Sequence, residues 1–152
     1  MRTGRDNVRT PIRVAALAWL LLGCGAFSAT AQSVAPRSIW DGVFSEAQAE
    51  RGKAAYQARC AMCHDQDLVG DIEAPPLTGP RFKADWVGRT LADRFERNRT
   101  TMPDIGPAIL DDQTNVDILA YILKFNGYPS GTRDLAADAN LLKKIVIERR
   151  PD

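Results

Sequence analysis

Cys60-Ala61-Met62-Cys63-His64 is the stretch on which the reading of this chain turns. Its spacing, C-x-x-C-H, is the attachment pattern for c-type haem. The spacing has a physical reason. Two sulfurs one helical turn apart can add to the two vinyl groups of one ring as thioethers. The histidine that follows directly is then carried beneath the iron as its proximal ligand. Other uses of the same residues fit less well. A disulfide between Cys60 and Cys63 would close a tiny strained loop. A thioredoxin-like redox pair shares the C-x-x-C spacing but expects a βαβ context, for which the chain has no pattern. A zinc site would need further Cys or His ligands, and the sequence has none to give once its leader is set aside.

The counts around this motif are restrictive. The chain has 152 residues, three cysteines, one histidine and a formal net charge of +1. That length allows one domain with or without tails. Twenty basic residues against nineteen acidic ones give no surface-wide field for nucleic acid. A single histidine excludes sites that need two imidazoles, such as H-E-x-x-H zinc hydrolases or bis-histidine haem. Three cysteines cannot build a dense disulfide framework. A hydrophobic content of 45% with 26% charged residues is that of an ordinary globular chain.

The amino-terminal segment alters those counts. Arg2, Arg5, Arg9 and Arg13 precede an apolar run from Val14 to Leu22, and small residues follow as far as Ala29-Thr30-Ala31. A basic start, a short apolar core and an A-x-A site describe a secretory signal peptide over residues 1–31. Two other readings stay open. The stretch from Val14 to Ala31 is uncharged and reaches the lower limit for a spanning anchor. Leu21-Leu22-Gly23-Cys24 resembles a lipobox, with Cys24 as the lipidated residue. All three export the chain, which implies a periplasmic location with membrane attachment only through a lipid or an amino-terminal anchor. Cleavage after Ala31 would leave 121 residues, with 16 basic and 18 acidic side chains and a net charge of −2. Cys60 and Cys63 would be the remaining cysteines.

Residues 32–44, with Pro36 and no clear periodicity, read as an extended arm. Ser45 followed by Gln48 is a capping-box pattern. It opens a predicted helix over 46–59, rich in Ala, Glu, Gln and Lys. Ala49, Gly52 and Tyr56 share one face of it, and Gly52 invites another helix or a ring to approach closely. Residues 65–83 hold Gly70, Pro75, Pro76, Gly79 and Pro80, which predicts a long loop of the kind that encloses or binds something. Asp85 is placed to cap a short helix to about Phe95, and residues 98–107 read as loop. Asp111 is placed to cap a helix to about Phe125, with Val116, Leu119, Ala120 and Leu123 as its apolar stripe. Asn126-Gly127 and Pro129 end it. The tail, 130–152, has a possible last helix over 139–147. Strand signals are weak.

The sixth iron ligand follows from the composition. A second imidazole is impossible. Once the leader is removed, Met62 and Met102 are the remaining thioethers, and Met62 lies within the attachment motif on the proximal side. Met102, in Thr100-Thr101-Met102-Pro103, is the candidate. Pro103 restricts it to an extended conformation. The alternative is a methionine that fills a gap in the core.

At this point the chain resembles class I cytochrome c in its short bacterial monohaem form, over about Trp40 to Pro129. The resemblance rests on C-x-x-C-H, on Gly52 and Tyr56, on Pro75-Pro76-Leu77-Thr78-Gly79, on Thr101-Met102-Pro103 and on Leu119-Ala120-Tyr121-Ile122. It implies an all-α fold of three to five helices wrapped around one covalent haem c, with the cytochrome domain at 45–129. It implies that Cys60 and Cys63 carry the thioethers and that His64 and Met102 are the axial ligands. It further implies that the Pro75 carbonyl accepts from His64 Nδ1–H, and that Leu77 packs on the proximal face. The first and late helices would cross at Gly52, near Tyr56 and Tyr121. Trp86, Leu91, Phe95, Leu110 and Leu119 are candidates for the pocket wall. Arg94, Arg97, Arg99 or the Trp86 indole are candidates for a propionate.

A His–Met iron has no open position for substrate, so the implied activity is transfer of single electrons rather than enzymatic turnover. Trp40-Asp41-Gly42-Val43-Phe44, Gln48-Ala49-Glu50-Arg51-Gly52 and Asn126-Gly127-Tyr128-Pro129 resemble small cytochromes that accompany exported quinoprotein or molybdenum dehydrogenases. The implied partners are a dehydrogenase donor and an oxidase or other cytochrome as acceptor, with no nucleic acid. Asp65, Asp67, Asp71 and Glu73 form an acidic run that could guide a basic partner patch. The competing functions are a haem enzyme and a gas or redox sensor with an exchangeable distal ligand.

Overall fold

The structure is a computed structural model and describes residues 35–72, 74–104, 106 and 109–151. The leader readings, with the site after Ala31 and Cys24, lie outside these residues. So does Glu73.

The first long helix, α1, spans Glu46–Arg59. The Ser45 hydroxyl accepts from the Gln48 amide at 3.0 Å, as its sequence suggests. The reciprocal half of the box does not form, because Gln48 lies on the buried face. Its amide nitrogen turns inward and donates to Asp117 Oδ1 at 3.0 Å and to the Leu135 carbonyl at 2.9 Å. Its Oε1 accepts from the Leu135 N–H at 2.6 Å. The short helix α2, Ala61–His64, follows at once.

The middle of the chain differs from the expectation of one helix capped by Asp85. Two helices form, α3 at Gly79–Trp86 and α4 at Leu91–Thr101. Asp85 lies inside α3, which starts with Pro80 in its first turn. Gly88, at φ +84°, breaks the chain between them. Thr90 and Asp93 then make the full reciprocal capping box that opens α4. The loop expected over 98–107 starts later, because α4 runs on to Thr101, where the hydroxyls of Thr100 and Thr101 bond back to the carbonyls of Glu96 and Arg97.

The late helix, α5, spans Asp112–Phe125 with Asp111 as its cap. Each residue from Asn115 to Leu123 is buried, so the predicted stripe is one side of a helix enclosed all round. It packs across α1 at Gly52. A Cβ built on Gly52 would lie 1.7 Å from the Asp117 carbonyl oxygen. Close by, the rings of Tyr56 and Tyr121 are 5.2 Å apart.

The arm and the tail are part of the same core. Strand β1, Arg37–Ser38, pairs in parallel with β2, Ile145–Val146. Ile39, Val43, Phe44, Leu135, Leu142, Ile145 and Ile147 are buried. The tail helix, α6, covers Ala139–Leu142 and stops short of the expected span, because Ile145-Val146-Ile147 is β-branched and extends into β2. Apart from this two-residue pair and two isolated bridges, the described chain is all-α, with four helices of eight or more residues. Among the described residues, no helix is long and apolar enough to cross a membrane.

Candidate haem site

Helix α1 ends at Arg59, and Cys60 both closes it and opens α2. One tight turn therefore carries Cys60, Cys63 and His64. Cys60 is half-buried and Cys63 exposed, and both are free thiols. Burial, with Cys63 beside it, pushes the Cys60 thiol up to about 11. A redox pair of the thioredoxin type needs the opposite shift.

His64 is buried, and its Nδ1 lies 2.9 Å from the Pro75 carbonyl oxygen. A carbonyl can only accept, so Nδ1 donates to it and Nε2 is the nitrogen left to ligate a metal. Holding the tautomer and the ring in this way is how proteins prepare a metal-binding imidazole.

The loop that delivers Pro75 is tightly pinned. Gly70 N–H donates to the His64 carbonyl at 3.1 Å, and Leu77 N–H to the Leu68 carbonyl at 2.8 Å. Gly70 adopts φ +63°, and a Cβ there would lie 2.2 Å from the Ala74 carbonyl oxygen. Asp71 belongs to the loop's own structure, since its carboxylate accepts from the Ala74 amide at 2.9 Å. Tyr56 braces the loop from α1, donating to the Asp65 carbonyl at 2.8 Å and the His64 carbonyl at 3.2 Å. Asn126, at the end of α5, donates to the Leu77 carbonyl at 2.9 Å.

The other predicted site residues are placed as follows. Pro75 is exposed apart from its bonded carbonyl, and Leu77 is partly buried against the core. Trp86 is buried, with its ring 4.4 Å from that of Phe82. Leu91, Phe95 and Leu119 are buried and Leu110 partly so. Met102 caps the end of α4, partly buried, at φ −126° and ψ 147°, the extended conformation its following proline favours. The structure brings His64 and Pro75 into direct contact, Leu77 and Trp86 pack with the core, and Met102 stands at the end of α4.

The arginines of α4 separate into two kinds. Arg97 is exposed. Arg94 lies over the Trp86 ring at 4.7 Å and donates to the Asp85 carbonyl. Burial, with Arg89 and Arg97 nearby, brings its guanidinium down to about 10. The Nε atoms of Arg94 and Arg99 are buried with no hydrogen-bond partner, although the Arg99 side chain is partly exposed and its Nη2 pairs with Glu96 at 2.7 Å.

These features fit a haem. A prepared imidazole, two free thiols at its edge, an apolar set of side chains and two unpartnered buried guanidinium nitrogens are what a ring with two carboxylate arms requires. Among the described residues no group of three or more His, Cys, Asp or Glu could hold a metal ion.

Sequence reasoning missed the bracing of the loop by Tyr56 and Asn126 and the close turn at Gly70. The lone Gly70 between Val69 and Asp71 was the available signal for the last of these.

The family model described as cytochrome C oxidase, cbb3-type, subunit III, matches residues 47–122. That span is half of the chain and contains Cys60, Cys63, His64 and Met102. No curated protein and no solved structure matches the chain. The fold, the buried imidazole and the family match agree on a c-type cytochrome domain that binds haem c and transfers electrons. The chain belongs to the cytochrome C oxidase, cbb3-type, subunit III family.

Proposed function

We propose that this protein is an exported monohaem cytochrome c that passes single electrons from a periplasmic dehydrogenase to a respiratory acceptor. The observation that carries this reading is the 2.9 Å contact between His64 Nδ1 and the Pro75 carbonyl, which leaves Nε2 as the ligating atom. Cys60 and Cys63 would hold the haem as thioethers, and His64 and Met102 would ligate its iron. Haem c held by these residues would supply a one-electron iron couple.

The chain's own residues do the rest. Pro75 fixes the imidazole and raises its basicity. Tyr56 and Asn126 keep the loop in place, so little reorganises when the charge changes. Leu77, Trp86, Leu91, Phe95 and Leu119 exclude water, and a drier, more apolar site raises the potential. Arg94 and Arg99 offer their buried Nε–H groups to the propionates. A respiratory acceptor is in keeping with the family's name, and the dehydrogenase donor rests on the flanking segments that resemble dehydrogenase-linked cytochromes.

The test is a pyridine haemochrome with a far-red spectrum of the purified protein. Covalent haem resists acid-acetone extraction, and methionine ligation gives a weak far-red band in the ferric form. Extractable haem would overturn the attachment, and absence of that band would overturn Met102 ligation. Rapid carbon monoxide binding by the intact ferrous protein would favour an enzyme or sensor instead.

A further inference from the structure

Helix α5 buries an amide among hydrocarbon side chains. Asn115 is 1% exposed, next to the buried Val116, Ile118 and Leu119. Its Nδ2 donates to two carbonyls, that of Asp111 at 3.0 Å and that of Leu110 at 3.2 Å. A carbonyl only accepts, so these bonds fix which way the amide points and turn its Oδ1 away from them. That oxygen accepts from Asn98 Nδ2 at 3.0 Å, across the gap from α5 to α4. Among the described residues it is the one side-chain hydrogen bond between these two helices. A buried amide satisfied at both ends is costly to break and specifies one arrangement of its neighbours.

The pair stands at both ends of the segment that carries Met102. Asn98 lies one helical turn before Met102, and its own carbonyl accepts the Met102 N–H at 3.0 Å. Leu110 and Asp111 are the residues through which the chain enters α5. One amide pair therefore joins the departure of the chain from α4 to its arrival at α5. Thr100 and Thr101 add nothing to this link, since their hydroxyls bond to carbonyls of their own helix.

We propose that Asn98 and Asn115 are positioning residues for the distal ligand: their side-chain bond fixes the end of α4 against the start of α5 and so keeps the Met102 sulfur presented to the haem iron. The proposal rests on the reading of Met102 as that ligand. Its action is through the backbone, from the Asn98 carbonyl to the Met102 N–H. A thioether is a soft ligand and suits ferrous iron better than ferric, so the hold of the chain matters most in the ferric form.

The test is a titration of the ferric holoprotein with imidazole, which competes for the iron, followed by loss of the far-red methionine band. Asn98→Ala removes the link between the helices and leaves Asn115 its bonds to Leu110 and Asp111. It should raise the apparent affinity for imidazole about tenfold, the size of one lost net hydrogen bond. Asn115→Ala should do at least as much. The double variant should add little, because both changes remove the same bond. Gln48→Ala breaks bonds to Asp117 and to the tail, not to the end of α4, and should leave the affinity nearly unchanged. A parent without the far-red band overturns the reading of Met102 and the proposal with it. A parent with the band, whose Asn98→Ala variant binds imidazole no better, overturns the proposal alone. So does an equal gain in Gln48→Ala, or gains that simply add in the double variant. Asn98 is only half-buried, so its variant decides the matter even if Asn115→Ala does not fold.

Discussion

Gly52 and Asp117 meet backbone to backbone: a Cβ on the glycine would lie 1.7 Å from the aspartate's carbonyl oxygen. Neither partner is a flexible side-chain end, so the contact cannot be relieved without moving a helix. Gly52→Ala should therefore cost at least about 3 kcal/mol, at the upper end of overpacking effects. Denaturant unfolding of the holoprotein measures this. A loss below about 1 kcal/mol would show that the helices part easily there.

Gln48 ties three segments together, through Asp117 on α5 and both backbone groups of Leu135 in the tail. Gln48→Ala leaves the buried Leu135 N–H and carbonyl unpaired, while Asp117 keeps its bonds from Arg51 and Gln113. The expected cost is about 2–4 kcal/mol, from one to three kcal/mol for each orphaned group. Limited proteolysis should also cut earlier in residues 130–152 than in the parent. Unchanged stability with unchanged cutting would contradict the tie.

Met102→Ala should open the sixth position of the iron. Carbon monoxide should then bind the ferrous protein quickly, and the reduction potential should fall by a sizeable part of the roughly 0.8 V that axial ligands can span. The parent should resist carbon monoxide near neutral pH. A variant that matches the parent in spectrum and potential would rule Met102 out as the ligand.

Asp93 gives a prediction with a definite sign. The Thr90 amide, then the Thr90 hydroxyl, hold its carboxyl below the ordinary aspartate value. The carboxylate is favoured in the folded state, so its contribution is full above about pH 4, the unfolded value. It fades as pH drops through the lower folded value. Asp93→Ala should cost about 1 kcal/mol near neutrality, as lost caps do. The gap between parent and variant should then narrow below about pH 4. Paired unfolding curves across that range check it, and a gap that widens in acid would reverse the argument.

Helices α1 and α5 were legible nearly to the residue because Ser45 and Asp111 are strong caps and Asn126-Gly127 is a strong stop. The boundary between α3 and α4 was not. Asp85 stands before Trp86 and imitates a cap, while the Thr90–Asp93 pair uses aspartate where glutamate or glutamine is the usual signal. The strand pair was hidden because two residues carry no readable alternation. At the site, C-x-x-C-H and the proline-rich loop were legible as local pattern. The Tyr56 bonds to the His64 and Asp65 carbonyls depend on the path of that loop through space, which spacing along the chain does not encode. Gln48 was read as half of a cap because the tail that captures its side chain lies 87 residues further on.

The pairing of β1 with β2 also sets an order of events. Arg37 finds its register against Ile145, so nearly the whole chain must exist before the two can meet. A chain emerging amino end first displays Cys60 to His64 while its ends are still apart. The seam between β1 and β2 can close only once Ile145 and Val146 are present, after the segment that takes up the cofactor has become accessible.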